Sequence, residues 1–311
     1  MNRIPVIVIF APTASGKTAL TLDLFSEEGS FLFLKGKAEV ISADSMAIYK
    51  HMDIGTAKPD PDFCKKIPHH LVDFLDPEMS FSAAEFVEMA DNICEDIFSR
   101  GKIPCVVGGT GFYIRSFLLG LPDTPESDVK LRALLKNRIS TEGKEKLYEE
   151  LKQLDPESAS KIHVNDEYRI CRALEVYYSS GQKRSSFSQS SVLRDKYKFS
   201  TIILNPPRDI LYSRIEQRVE KMFEAGLPEE INRLKNMGYN SETAGMRAIG
   251  YKEFFLYNNL EKIKERIVHN TKIYAKKQIT FMRNIPGAIE IPYTASQDDI
   301  EKVKSLLSIL T

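Results

Sequence analysis

The chain has 311 residues, with 43 acidic and 43 basic side chains. Its hydrophobic share of 42% is enough for a substantial core, which excludes a mainly disordered chain, and its length suits two lobes. Zero net charge excludes a uniformly basic nucleic-acid binder, and no run approaches the roughly 18 uncharged apolar residues of a membrane span.

The apolar run at residues 4–11 is short, contains Pro5 and leads straight into a glycine–lysine motif. That is not the pattern of a signal peptide, so a cytoplasmic location is expected. The β-branched run at 6–10 reads as a strand buried on both faces. Residues 17–25 read as a helix and 38–43 as a second strand. A helix follows over 82–100, with Ser82 as N-cap and Glu85 completing a capping box. A third strand over 103–107 is stopped by Gly108 and Gly109. This alternation predicts a parallel sheet covered by helices.

The texture changes near residue 120. Residues 121–125 read as a linker, 128–154 as charged helix, 166–180 as a further helix, and 181–191 as a serine-rich mobile loop. β character returns at 201–204, in position to rejoin the sheet, and helix follows from Pro207 to about Arg283. The expected organisation is a core in two parts, 1–119 and 196–311, around a helical insertion at 120–195. The cysteines (Cys64, Cys94, Cys105, Cys171) form no C-x-x-C pair, so reduced, buried thiols are expected rather than a zinc module. His69 and His70 have no matching ligands nearby and read as structural loop residues.

The strongest motif is Ala11-Pro12-Thr13-Ala14-Ser15-Gly16-Lys17-Thr18, set between a strand and a helix. In that context it reads as a phosphate loop, and the fold class as an α/β, P-loop NTPase-like core with an inserted helical domain. Backbone N–H groups would cradle phosphate oxygens at the positive end of the helix. Lys17 supplies charge to the terminal phosphates, and the Thr18 hydroxyl suits Mg²⁺. Ala11 stands where the pattern has glycine, which works if its φ stays negative. The motif indicates phosphate; it does not specify ATP or the bond broken.

Asp44 lies just past the second strand, where doubly wound sheets bind ligands. Three roles fit it: a metal-holding acid, a general base, or a helix cap.

Several further strings occur in order: Asp44-Ser45 with Tyr49, Met52-Asp53-Ile54-Gly55-Thr56-Ala57-Lys58-Pro59, Pro68-His69-His70-Leu71-Val72-Asp73 and Val107-Gly108-Gly109-Thr110-Gly111. Arg172-Ala173-Leu174-Glu175 and Met246-Arg247-Ala248-Ile249-Gly250-Tyr251-Lys252 come later. From the phosphate loop to about Arg283 the chain closely resembles the tRNA dimethylallyltransferases, in their compact bacterial form. The resemblance implies transfer of a dimethylallyl group from dimethylallyl diphosphate to N6 of adenosine 37, beside the anticodon of tRNA, with Mg²⁺-assisted loss of diphosphate. Asp44 then matches the catalytic aspartate, Thr110 the substrate-contacting threonine and Arg218 the diphosphate arginine, with Arg214 as second choice. The family's RNA-contacting segments fall on Asp44, Ser45, Met46 and Ala47, on Tyr168, Arg169, Ile170, Cys171 and Arg172, and on Arg247, Ala248, Ile249, Gly250, Tyr251 and Lys252. Thr110, Lys276, Lys277, Arg283 and, in the insertion, Arg132 complete them. Position 47 is alanine where many members carry glutamine, and Tyr168 stands where a polar residue is common.

Residues 244–284 hold nine Lys and Arg against three acids, which reads as a phosphate-contacting face. A P-loop kinase would share the fold but leaves this basic segment unexplained. A prenyltransferase for free adenine nucleotide shares the chemistry but not the need for a helical insertion. A monomer that acts on tRNA is the expectation.

Overall fold

The computed structural model describes residues 3–187, 190–283 and 285–310. The predicted mobile loop at 181–191 thus falls partly, at Ser188 and Gln189, outside the described residues. Six parallel strands, β1 (Ile4–Phe10), β2 (Ala38–Ala43), β3 (His69–His70), β4 (Ile103–Gly108), β5 (Tyr197–Asn205) and β6 (Ile289–Pro292), form one sheet in the order β3-β2-β4-β1-β5-β6. β1 is flanked by β4 and β5, with Ile7 opposite Cys105 on one side and Ser200 on the other.

Being covered on both faces, β1 can be apolar throughout. Ile7 and Ile9 pack with Leu20, Leu24 and Phe25 of helix Lys17–Phe25 and with Val303 and Leu307 of helix Gln297–Leu310. By the two-residue period of a strand, Val6, Val8 and Phe10 serve the opposite face. There helix Ala83–Ser99 buries Phe86, Ala90, Cys94 and Ile97. The large apolar side chains among these, Ile, Val and Phe, contribute roughly 1.5–3 kcal/mol each when fully buried. That helix starts as its sequence predicts. Glu85 N–H donates to Ser82 Oγ (3.2 Å) and Ser82 N–H to Glu85 Oε2 (2.7 Å).

Among the elements the structure adds to the sequence expectation are strands β3 and β6 and helices Pro61–Lys66, Gly111–Leu119, Pro156–Lys161 and Gln297–Leu310. β3 has two residues, too few for any periodicity, and exists by pairing with Val40 and Ile41 of β2. The expected helix over 128–154 is two, Val129–Glu142 and Lys144–Leu154, because Gly143 turns the chain at φ 88°. The stretch after Pro207 is likewise broken into Arg208–Glu224, Leu227–Asn236 and Leu260–Met282, with turns and the short helices Gly245–Arg247 and Glu253–Leu256 between.

The chain divides into one unit of residues 1–118 with 194–311 and a second of 119–193. In the first unit the two ends of the interruption are tied together. Arg194 N–H donates to Leu118 O (2.9 Å), and its guanidinium pairs with Asp91 and lies over the rings of Phe117 and Tyr197. The second unit packs its helices around Leu135, Leu147, Leu151, Ile170 and Leu174. Its buried Glu175 accepts from Ser127, from the Asp128 N–H and from Arg132, and pairs with Arg172. Asp155 caps helix Pro156–Lys161 and also accepts from the N–H and hydroxyl of Ser185.

Candidate active site

β1 ends in the predicted phosphate loop. Ala11 is buried, donates its N–H to Gly108 O (3.1 Å) and is not among the residues at positive φ, so alanine is tolerated there. The left-handed positions are Ala14 (φ 60°) and Gly16 (φ 94°). Gly16 caps helix Lys17–Phe25 through its backbone alone, and the first turn holds no acid. The leading N–H groups and the positive helix end are thereby left for an anion.

The loop is braced from two sides. Arg214 donates to Ser15 O (3.1 Å) and Thr294 O (2.5 Å). Gln278 accepts from the Thr13 N–H (3.0 Å) and donates to Gly109 O (2.7 Å), which ties the ends of β1 and β4 to helix Leu260–Met282.

Two adjoining cavities share Lys17 and Arg218. One, of about 610 Å³, is lined by Ala14, Ser15, Gly16, Lys17, Thr18, Lys58, Arg214, Arg218 and Lys221, among others. The other, of about 270 Å³, is lined by Lys17, Asp44, Ser45, Arg218, Tyr274 and Gln278 together with Ile215, Val219, Met222, Ile249 and Ile267. The first is ringed with cations; the second has a polar end and apolar walls.

Burial pushes the Lys17 ammonium below the ordinary lysine range; Asp44 pulls it back up, and Arg218 pushes it further down. Burial also pushes Arg218 down, against the raising effect of Asp44. Arg218 donates to Thr56 O (3.2 Å), and among the described residues neither cation has a carboxylate within ion-pair distance. Two desolvated cations side by side gain most from a bound polyanion.

Asp44 Oδ1 accepts from the N–H groups of Met46 (2.9 Å) and Ala47 (3.3 Å). No helix follows Asp44, so the helix-cap role falls away: Oδ1 instead holds the turn after β2, and Oδ2 has no protein hydrogen bond among the described residues. Thr110 Oγ1 accepts from the Ser45 N–H (2.9 Å) and lies 3.2 Å from Ser45 Oγ. Burial, then the nearby Asp44, pushes the Tyr274 phenol up to about 12, against hydrogen bonds with Thr110 and Gln278.

A family model described as IPP transferase matches residues 47–285. The chain belongs to the IPP transferase family. A tRNA dimethylallyltransferase of Sulfurihydrogenibium sp. is 46% identical over 284 residues, covering 90% of this chain and 89% of the relative. One of Geobacter sulfurreducens is 39% identical over 307 residues, covering 97% and 96%. The solved structure of a eukaryotic dimethylallyltransferase acting on tRNA matches with TM-score 0.77 at 28% identity, over 100% of this chain and 81% of that one.

Within this IPP transferase fold, the expected contact segments separate into exposed and buried members. Asp44, Ser45 and Arg247 line the smaller cavity; Tyr168, Arg169, Lys276, Lys277 and Arg283 are exposed. Ala47, Ile170, Cys171, Ala248 and Tyr251 are buried, Ala248 at the wall of the smaller cavity. Ile170 and Cys171 belong to the helical core, and the Tyr251 hydroxyl donates to Glu230 (2.6 Å). Arg132 and Arg172 are engaged by Glu175, and Arg132 lies over the Tyr168 ring.

The basic segment is also less cationic than its sequence count. Lys262, Lys264, Lys272 and Arg247 pair with Glu265, Glu220, Glu216 and Glu242, the last three of which lie outside the counted segment 244–284. Sequence reasoning passed over Thr271, Tyr274 and Gln278. Their i, i+3, i+7 spacing puts them on one helix face, which was the available signal.

His69 Nδ1 lies 2.7 Å from Ile67 O and His70 Nε2 2.9 Å from Glu39 Oε2, so both histidines are held by structural contacts. Three cysteines are buried, Cys64 is half-buried, and all four are free thiols. Among the described residues no helix is long and apolar enough to cross a membrane.

Proposed function

We propose that this chain transfers the dimethylallyl group of dimethylallyl diphosphate to N6 of adenosine 37 in tRNA and releases diphosphate. The observation that carries this reading is the junction of the two cavities at Lys17 and Arg218. The diphosphate would lie with the phosphate loop and its cations, and the five-carbon chain against Val219, Met222 and Ile267. The C1–O bond breaks and its electron pair leaves with the diphosphate, whose growing charge Lys17, Arg218 and the loop N–H groups stabilise. The N6 lone pair forms the new bond to C1. The amine proton passes to Asp44 Oδ2, while Oδ1 stays on its two N–H donors and holds the carboxylate in place.

Mg²⁺ fits these residues only as a companion of the substrate. No cluster of three His, Cys, Asp or Glu suited to a metal occurs among the described residues, but the Thr18 hydroxyl, beside the phosphate loop, offers an oxygen donor. Such a Mg²⁺ would be held mainly by substrate phosphates and water and would supply charge neutralisation to the leaving group. The tRNA would be held through Arg247, Lys276, Lys277 and Arg283 and, on the helical unit, Tyr168 and Arg169. Its target base must be extruded from the anticodon loop to react.

The test is single-turnover transfer of labelled dimethylallyl diphosphate to unmodified tRNA with Mg²⁺. Label in tRNA that disappears when adenosine 37 is replaced by guanosine supports donor, acceptor and position together. Label on free AMP but not on tRNA overturns the acceptor, and ATP hydrolysis without either transfer returns the kinase reading.

A further inference from the structure

The wall shared by both cavities is the segment 53–58. Asp53, Ile54, Ala57 and Lys58 line the larger cavity, and Gly55 and Thr56 the smaller. Its position is set from behind by one carboxylate on helix Leu227–Asn236. Glu230 is buried, and its Oε2 accepts from the N–H groups of Asp53 (3.0 Å) and Ile54 (2.8 Å). Its Oε1 accepts from the Gly55 N–H (3.2 Å) and from the Tyr251 hydroxyl (2.6 Å). Four donors thus converge on two oxygens, and only a group that accepts at both ends satisfies them.

The rest of the segment is tied to the same frame. A Cβ on Gly55 would come within 2.4 Å of the Tyr251 ring, so the loop lies directly on that ring. Burial, then the Glu230 carboxylate, pushes the Tyr251 phenol far above the usual range, so it remains a donor. Thr56 donates to Met52 O (2.7 Å), and Lys58 bridges Asp53 and Asp73. The carbonyl of Thr56, directly after the three held N–H groups, is the acceptor for Arg218 Nη2. A chain of contacts therefore runs from Glu230 through residues 53–56 to the guanidinium at the cavity junction.

We infer that Glu230 is a positioning residue: its carboxylate fixes the backbone of residues 53–56, and through the Thr56 carbonyl it aims Arg218 at the diphosphate of the donor. The inference rests on the proposed function for the identity of the donor, but not for the binding of a diphosphate. Glu230→Gln keeps the size and replaces one acceptor oxygen with an amide N–H₂ that faces N–H or O–H donors. Loss of such charge-assisted, buried bonds should raise the donor KM about tenfold or more in the transfer assay. The KM for tRNA should stay where it is. The Kd of inorganic diphosphate, measured by calorimetry, should rise in the same proportion.

The deciding comparison is made in an Arg218→Ala background. If Glu230 acts through Arg218, Glu230→Gln there adds less than about twofold to the donor KM or the diphosphate Kd. Equal fold-changes in both backgrounds, or an unchanged diphosphate Kd in Glu230→Gln alone, overturn the inference. Tyr251→Phe keeps the ring under Gly55 and removes one donor of four. It should move the diphosphate Kd in the same direction by a few-fold, about two to five, and this too should vanish without Arg218. It decides the matter if Glu230→Gln fails to fold: no shift, or a shift that survives Arg218→Ala, refutes the link. Parent enzyme that binds diphosphate but transfers nothing to tRNA would remove the proposed function and leave this inference standing on the calorimetry.

Discussion

Asp44→Asn separates the two tasks that the structure gives to a single carboxylate. Oδ1 accepts two backbone N–H groups, from Met46 and Ala47, and an asparagine oxygen can accept both. The turn after β2 should therefore survive, whereas an Asp44→Ala chain loses both of those hydrogen bonds as well, at a cost of about 1 kcal/mol each. What asparagine lacks is an oxygen able to take the N6 proton. Removing a general base typically slows the chemical step by about 10²–10⁴-fold, or ~3–5 kcal/mol of barrier. Rapid-quench single-turnover kinetics, with enzyme in excess over labelled tRNA and donor saturating, reads that step directly. A filter-binding Kd for tRNA should change by less than about threefold, under 1 kcal/mol. The reasoning fails if Asp44→Asn transfers at nearly the parental rate. It fails equally if a slow rate is explained by a matching loss of tRNA affinity.

Other perturbations follow from the same geometry. Burial lowers the Lys17 pKa, and the charged form binds the donor, so affinity is full at low pH and lost as pH rises through that lowered value. The decline in dimethylallyl diphosphate affinity should therefore begin below the usual lysine range of about 10.4, while Lys17→Arg, charged throughout, stays flatter. Tyr274, raised to about 12, remains protonated in this window, so calorimetric Kd values for the two proteins should diverge with pH; parallel profiles would refute the assignment. Lys276 and Lys277 are exposed and outside the ion pairs of their helix. Replacing both with alanine should reduce the slope of log Kd for tRNA against log salt by about 1.5, whereas Lys264→Ala, which loses a lysine already paired with Glu220, should hardly change it.

What could be read in the sequence was whatever depends on neighbours in the chain. The apolar run of β1, the glycine–lysine loop and the Ser82–Glu85 box each carry their signal within ten residues, and each has its expected form in the structure. Asp44 was legible as a residue at a strand end, but its three roles could not be ranked, because they depend on where two oxygens point. β6 was hidden for another reason. Four residues that include Glu290 and Pro292 have no strand pattern of their own and pair only because β5 offers an open edge. The charge of helix Leu260–Met282 was misjudged by counting along it, since Glu216 and Glu220, which neutralise Lys272 and Lys264, lie far away in sequence. Gln278 escaped notice because a single glutamine in a helix has no signature until the two loops it joins are known.

The seam at Leu118 and Arg194 has a consequence for how such a chain can be assembled and altered. β5 must find β1 although residues 119–193 lie between β4 and β5. Left as flexible chain, that stretch would charge the pairing with a loop-closure entropy that grows with its length. A segment that first collapses on its own apolar centre, as one around Leu135, Leu151 and Ile170 can, shortens the effective tether before the sheet is complete. The Arg194 guanidinium, pinned by Asp91 and laid over two rings, then acts as a clasp that records the crossing. The register of β5 on β1 is set by the pairing from Ile4 opposite Tyr197 to Phe10 opposite Ile203, and the clasp closes the point where the excursion leaves and returns. An alteration confined to residues 119–193 should therefore leave the alignment of the six strands intact.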